Sequence, residues 1–168
     1  MKKHNKLLYP AALLLTVLLA ALLSARHVQL LLIHGDSMAP AYRSGNLVLL
    51  EKQVRDWKKG DVVLFRSEVL GRSLVKRIAA LPGDEIVVDA DGLYINGLCA
   101  APAPPEESRA DFLGPAPYRV PPGFYFLLGD NLTESVDSRD RRVGLVPEAD
   151  LLGRVLSRGS AAGDGGAP

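Results

Sequence analysis

Residues 61–95 read DVVLFRSEVLGRSLVKRIAALPGDEIVVDADGLYI, and this stretch decides the fold class. Apolar runs at Asp61–Phe65, Ser73–Ala80, Glu85–Asp89 and Leu93–Ile95 are separated by glycine, proline and aspartate. Runs this short, bounded by turn formers, suit strands, because a helix needs a longer periodic window. Asp91-Gly92 and Asn96-Gly97 are dipeptides of the hairpin-closing kind. Working outward, the same reading places strands at Val28–Ile33, Asn46–Leu50, Tyr118–Val120, Phe124–Leu128 and Leu152–Leu156. The expected fold is mainly β, a barrel or packed antiparallel sheets with few helices.

The chain has 168 residues, 48% hydrophobic and 23% charged, and a formal net charge of +1 from 20 basic and 19 acidic side chains. Such a balance gives no field for holding nucleic acid. The one cysteine, Cys99, excludes an internal disulfide and any cysteine-rich metal cluster, and it reads as a small apolar filler. His4, His27 and His34 lack the close pairing of a metal-binding helix, so neither a metal nor a cofactor is expected.

A mean hydropathy of +0.10 is high for this charge content, and its source is one segment. Leu7 to Ser24 carries no charge, between the basic stub Lys2, Lys3 and Lys6 and the closing Arg26. Eighteen helical residues span about 27 Å, close to the hydrocarbon thickness of a bilayer. Pro10 falls in the first turn, where a missing N–H costs little. Lysines before the helix favour a cytoplasmic N-terminus and an outer-face location for everything after Arg26. A cleaved secretory leader would share this pattern, but Leu23-Ser24-Ala25 puts leucine where cleavage wants a small residue. The segment reads as a retained anchor. Proline-rich Ala100–Pro117 reads as an exposed excursion, and Ser160–Pro168, rich in glycine and alanine, as a disordered end.

Three clusters carry chemistry. Gly35-Asp36-Ser37-Met38-Ala39-Pro40 suits a sharp turn presenting a hydroxyl at a strand's end. By itself it reads equally as an ordinary serine turn. In Ser73-Leu74-Val75-Lys76-Arg77-Ile78, alternation puts the Lys76 ammonium on one face with Leu74 and Ile78. An edge-strand lysine is the plain alternative. The third cluster is Gly129-Asp130-Asn131 with Ser135-Val136-Asp137-Ser138-Arg139, otherwise a polar loop with a local ion pair. Together they favour a serine hydrolase whose base is not histidine. A serine hydroxyl is a poor nucleophile until a base takes its proton. Lowering a lysine from ~10.4 to ~7–8 means disfavouring the ammonium by about 4 kcal/mol, which burial among aliphatic chains supplies. Lys76 is placed for this, whereas Lys52, Lys58 and Lys59 lie in a polar stretch.

On these boxes, with Gly-Asp-Val-Val-Leu-Phe at 60–65 and Leu81-Pro82-Gly83-Asp84 after the lysine, the chain resembles the bacterial type I signal peptidases, membrane-bound Ser/Lys proteases of the S26 type. The resemblance runs from residue 1 to about 157. It implies an antiparallel β catalytic domain with a small inserted subdomain, after one transmembrane helix. The layout it implies is a stub and anchor at 1–26, an extracytoplasmic protease domain at 27–157 with a variable insertion at about 89–122, and an end segment at 158–168. It implies Ser37 as nucleophile, Lys76 as general base and Ser135 as the hydroxyl orienting the lysine. Asp137 with Arg139, and Arg77 with Asp130, match supporting ion pairs. The Ser37 N–H matches one oxyanion donor. The second falls at Gly35, which has no hydroxyl, so backbone or water must serve where ~3–4 kcal/mol of stabilisation is usual. Ile33, Met38 and Leu74 match positions lining shallow pockets for small residues at −1 and −3 of the substrate.

The implied partners are signal-peptide-bearing preproteins and the lipid bilayer, with no nucleic acid and no metal. Two departures fall in supporting loops: Leu132 stands where the family has arginine, and Asp140-Arg141-Arg142-Val143 lengthens the approach to Gly144. Eleven residues, at most about 40 Å, separate Arg26 from Ser37, which keeps the nucleophile near the outer leaflet. A related Ser/Lys protease for conjugation or pilin maturation shares the same boxes. A self-cleaving repressor would need a DNA-binding segment where this chain has an anchor, and a non-catalytic β-domain would be expected to lose Ser37 or Lys76.

Overall fold

The computed structural model describes residues 10, 12–17, 27–89, 91–103 and 117–156. Among them are eleven strands: β1 Val28–Leu32, β2 Leu47–Glu51, β3 Val62–Ser67, β4 Arg72–Ala80, β5 Glu85–Val88, β6 Leu93–Ile95, β7 Leu98–Ala101, β8 Tyr118–Arg119, β9 Phe124–Leu128, β10 Val146–Pro147 and β11 Leu151–Leu156. All pairings are antiparallel, so the mainly β expectation holds. Seven strands form one sheet in the order β1-β2-β11-β3-β4-β9-β10, and four form a second in the order β7-β6-β5-β8.

Alternation along β3 and β4 distributes the apolar side chains. Val63 pairs with Lys76 and Phe65 with Leu74, while Leu64 opposite Val75 belongs to the other face. Val63, Phe65 and Ile78 pack with Tyr125, Leu127 and Val146, with Leu74 against them. The opposite face holds Val48, Leu50, Val62 and Val155 under Ile33, Met38 and Tyr42. A third cluster joins the sheets: Ala80, Phe126 and Leu128 meet Ile86, Leu93 and Ile95.

Two strands are absent from the sequence reading, β7 and β10. Asn96 and Gly97 both take positive φ, 51° and 78°, the backbone of a tight hairpin, and β7 follows immediately. Ala100 and Ala101 therefore belong to β7, with Ala101 in the core, and not to an excursion beginning at residue 100; residues 104–116 lie outside the described residues. Of the expected anchor, Pro10 and residues 12–17 are helical, and the remainder of Leu7–Ser24 lies outside the described residues, as do residues 157–168. Among the described residues no helix is long and apolar enough to cross a membrane.

Candidate active site

The chain leaves β1 through Ile33 and turns sharply at Gly35, whose φ of +81° is one that side-chain-bearing residues avoid. Ala39 N–H bonds the Asp36 carbonyl and Tyr42 N–H the Met38 carbonyl, closing the turn that carries Ser37. Met38 and Tyr42 anchor this turn in the core. From the facing loop, Asn131 N–H donates to the Ser37 carbonyl at 3.0 Å, and the Asn131 side-chain amide to the Asp36 carbonyl at 3.3 Å. The sequence reading gave Asn131 no role, although it completes the Gly-Asp-Asn box.

Lys76 is 1% exposed, and its Nζ lies 2.6 Å from Ser37 Oγ and 3.0 Å from the Val75 carbonyl. Burial lowers its pKa from 10.5 to about 8, with Asp137 and Asp130 pulling upward, and Arg72 and Arg139 downward. Desolvation penalises the ammonium and leaves the neutral amine little affected, so burial dominates. At pH 7 roughly a tenth of the molecules then hold a free amine within reach of the serine proton.

The supporting ion pairs form. Arg139 Nε and Nη2 donate to the two Asp137 oxygens, both at 2.9 Å, and Asp137 is wholly buried. Asp137 Oδ2 also accepts the Gly129 N–H at 3.0 Å, tying the pair to the loop against the serine turn. Arg77 grips Asp130 with Nε at 2.8 Å and Nη2 at 2.6 Å, while Nη1 donates to the Gly60 carbonyl. The Leu132 departure has a simple account: its carbonyl accepts from Arg139 Nη2 at 2.8 Å, and its side chain packs against the core joining the sheets. In the lengthened loop, Arg142 chelates Asp140, and the Val143 and Gly144 N–H groups bond the Asp140 carbonyl, so the extra residues close on themselves.

Three expected roles are placed differently. Ser135 Oγ is buried without a hydrogen-bond partner and does not bond Lys76. It packs against Gly129, where a Cβ would collide with Ser135 and lie 2.6 Å from the Ser37 carbonyl. The second oxyanion position falls at Gly35, with backbone or water expected to serve there, and the Gly35 N–H itself is directed at Ser44 Oγ, 3.3 Å away. Ile33 and Met38 pack on one face of the large sheet and Leu74 on the other, so the three residues share no single cluster.

Beside the serine turn lies a groove of about 700 Å³, with Pro40 and Ala41 on one side and Leu98 and Cys99 of β7 on another. Cys99 is exposed there and is no buried filler.

A serine hydroxyl held against a desolvated amine, on antiparallel sheets, is the equipment of a serine hydrolase that works without histidine. The family model described as signal peptidase, peptidase S26, matches residues 6–159. Signal peptidase I U of Bacillus subtilis (strain 168) is 33% identical over 165 residues, covering 91% of this chain and 88% of that protein. Signal peptidase I of Bacillus licheniformis is 33% identical over 163 residues, covering 90% and 87%. A crystal structure of a signal peptidase I from Enterococcus faecalis V583 is similar at 29% identity and a TM-score of 0.44, covering 62% of this chain and 100% of that one. The chain belongs to the signal peptidase family, peptidase S26, and is a serine peptidase.

Proposed function

We propose that this chain removes N-terminal signal peptides from exported preproteins, with Ser37 as nucleophile and Lys76 as general base. The observation carrying the proposal is the 2.6 Å approach of Ser37 Oγ to the buried Lys76 amine. The neutral amine takes the hydroxyl proton as Oγ attacks the scissile carbonyl, then gives it to the leaving amine. The Ser37 N–H meets the oxyanion, and Asp137–Arg139 and Arg77–Asp130 hold the surrounding loops. Small residues at −1 and −3 are admitted by pockets to which Ile33 and Met38 contribute from one face of the large sheet and Leu74 from the other, since the three form no single cluster.

In this proposal residues 1–26 are the cytoplasmic stub and single membrane span. Residues 27–157 are the extracytoplasmic domain with its inserted subdomain at about 89–122, and residues 158–168 are its end segment. An apolar face supports the location at a bilayer. Leu30 lies opposite Leu49 and Leu32 opposite Leu47 across β1 and β2, all four exposed, with the exposed Leu156 of β11 next to Leu49. Contiguous exposed apolar surface of this kind suits contact with a membrane or another apolar partner. The test is expression in membranes with a preprotein. Cleavage by the parent and by neither Ser37→Ala nor Lys76→Ala supports the proposal; unchanged cleavage by Lys76→Ala removes the lysine from its role.

A further inference from the structure

We propose that the groove beside the serine turn receives the part of the substrate that follows the scissile bond, the first residues of the mature protein. This rests on the peptidase reading above. The groove borders the turn that carries Ser37, although neither Ser37 nor Lys76 is in its lining. Pro40 and Ala41 belong to the turn that carries Ser37, Arg77 directly follows Lys76, and Gly129 lies against the Ser37 carbonyl. The opposite wall is β7, where Leu98 is exposed and offers an apolar side chain to the groove.

Direction follows from what flanks the turn. A substrate arriving from the bilayer comes by way of β1 and β2, the strands bearing the exposed leucines. Met38 and Tyr42 are packed into the core, whereas Pro40 and Ala41, on the same turn after Ser37, line the groove, and in this proposal the chain runs that way. Its volume of about 700 Å³ is that of a ligand site, and five extended residues would span roughly 17 Å. Of the charges in its lining, Arg77 and Asp130 neutralise each other, which leaves Lys59 uncompensated. The site therefore takes an extended segment with an apolar side chain against Leu98, and prefers an acidic to a basic neighbour near Lys59.

Two peptides with the same signal half, ending one or five residues past the scissile bond, test this on the full chain in detergent. The longer one is expected to show at least about tenfold higher kcat/KM. Leu98→Asp, a change at an exposed site, should lower the longer substrate's kcat/KM toward that of the shorter one. A second measurement needs no turnover. In Ser37→Ala protein, a peptide carrying a bromoacetyl group on the third residue past the bond should alkylate Cys99 much faster than bromoacetamide does. The thiol loses its proton to solvent and its sulfur displaces bromide, leaving a thioether. Equal labelling by peptide and bromoacetamide, or Leu98→Asp slowing both substrates alike or neither, overturns the assignment. If the parent cleaves neither peptide, the peptidase reading fails, and the labelling result still decides whether the peptide lies in the groove.

Discussion

Gly129→Ala is the most informative single substitution in this site, because the structure fixes what one methyl group must displace. A Cβ there would overlap Ser135 Oγ, lie 2.5 Å from Ser135 Cβ and 2.6 Å from the Ser37 carbonyl oxygen. Ordinary contact begins at 3.4 Å, so the Ser37 carbonyl must retreat by about 0.8 Å and the Ser135 side chain by more. Backbone is the stiffer of the two, yet Ser135 is itself buried and has little room. Overpacking of this kind costs about 1–3 kcal/mol of stability. Displacing the serine turn by nearly an ångström costs roughly 10²-fold in kcat. Gly153→Ala is the control: its Cβ would lie 2.6 Å from the Glu51 carbonyl and 2.8 Å from Leu50 Cγ, a somewhat milder clash inside β11 and away from the serine turn. Denaturant unfolding and preprotein cleavage are measured on both variants. Both should lose stability, and only Gly129→Ala should lose kcat beyond its unfolded fraction. Full turnover in Gly129→Ala, or equal loss of turnover in Gly153→Ala, would refute the reasoning.

Other expectations follow from the same site. The kcat/KM of the parent should climb tenfold per pH unit below an apparent pKa of about 8 and level off above it, as read from a pH–rate profile; an acid optimum would contradict a lysine base. The unfolded lysine titrates near 10.5 and the folded one near 8, so the unfolded chain binds the extra proton, and Lys76 costs stability below pH 8, a cost that fades as pH rises toward 10.5. Lys76→Met should thus be inactive yet more stable at neutral pH by about 3 kcal/mol, checked by urea unfolding. Asp137→Ala leaves the Arg139 guanidinium buried without its partner and should cost about 3–5 kcal/mol in the same assay. A fluorophore on Leu32→Cys in a Cys99→Ser background should be quenched by brominated lipid when the full chain is in nanodiscs, and one on Val69→Cys should not; equal quenching at both sites would count against the leucine face.

Much of the fold was legible because burial follows period-two alternation. Leu93–Ile95 and Phe124–Leu128 form strands with the expected bounds, and the strand bearing Lys76 differs by one residue. β7 was not legible because Leu98-Cys99-Ala100-Ala101 has no β-branched residue, and only the Asn96-Gly97 turn before it announces a partner strand. β10 is two residues long and contains a proline, which leaves no pattern to read. In the site, alternation was enough to put Lys76 among aliphatic chains, and it forms the contact with Ser37. The rotamer of Ser135 and the direction of the Gly35 N–H depend on packing between loops distant in sequence, which no local pattern encodes. The groove is invisible for the same reason: Pro40, Leu98 and Gly129 meet only once the two sheets are joined.

Direct titration of Lys76 reaches the heart of the account. With ¹³C-labelled lysine and Lys76→Met to assign its Cε resonance, the amine should titrate near pH 8 in the folded full chain and near the ordinary 10.5 once unfolded. A folded-state midpoint indistinguishable from that of the exposed lysines would mean the ammonium is not desolvated, and Ser37 would then have no base.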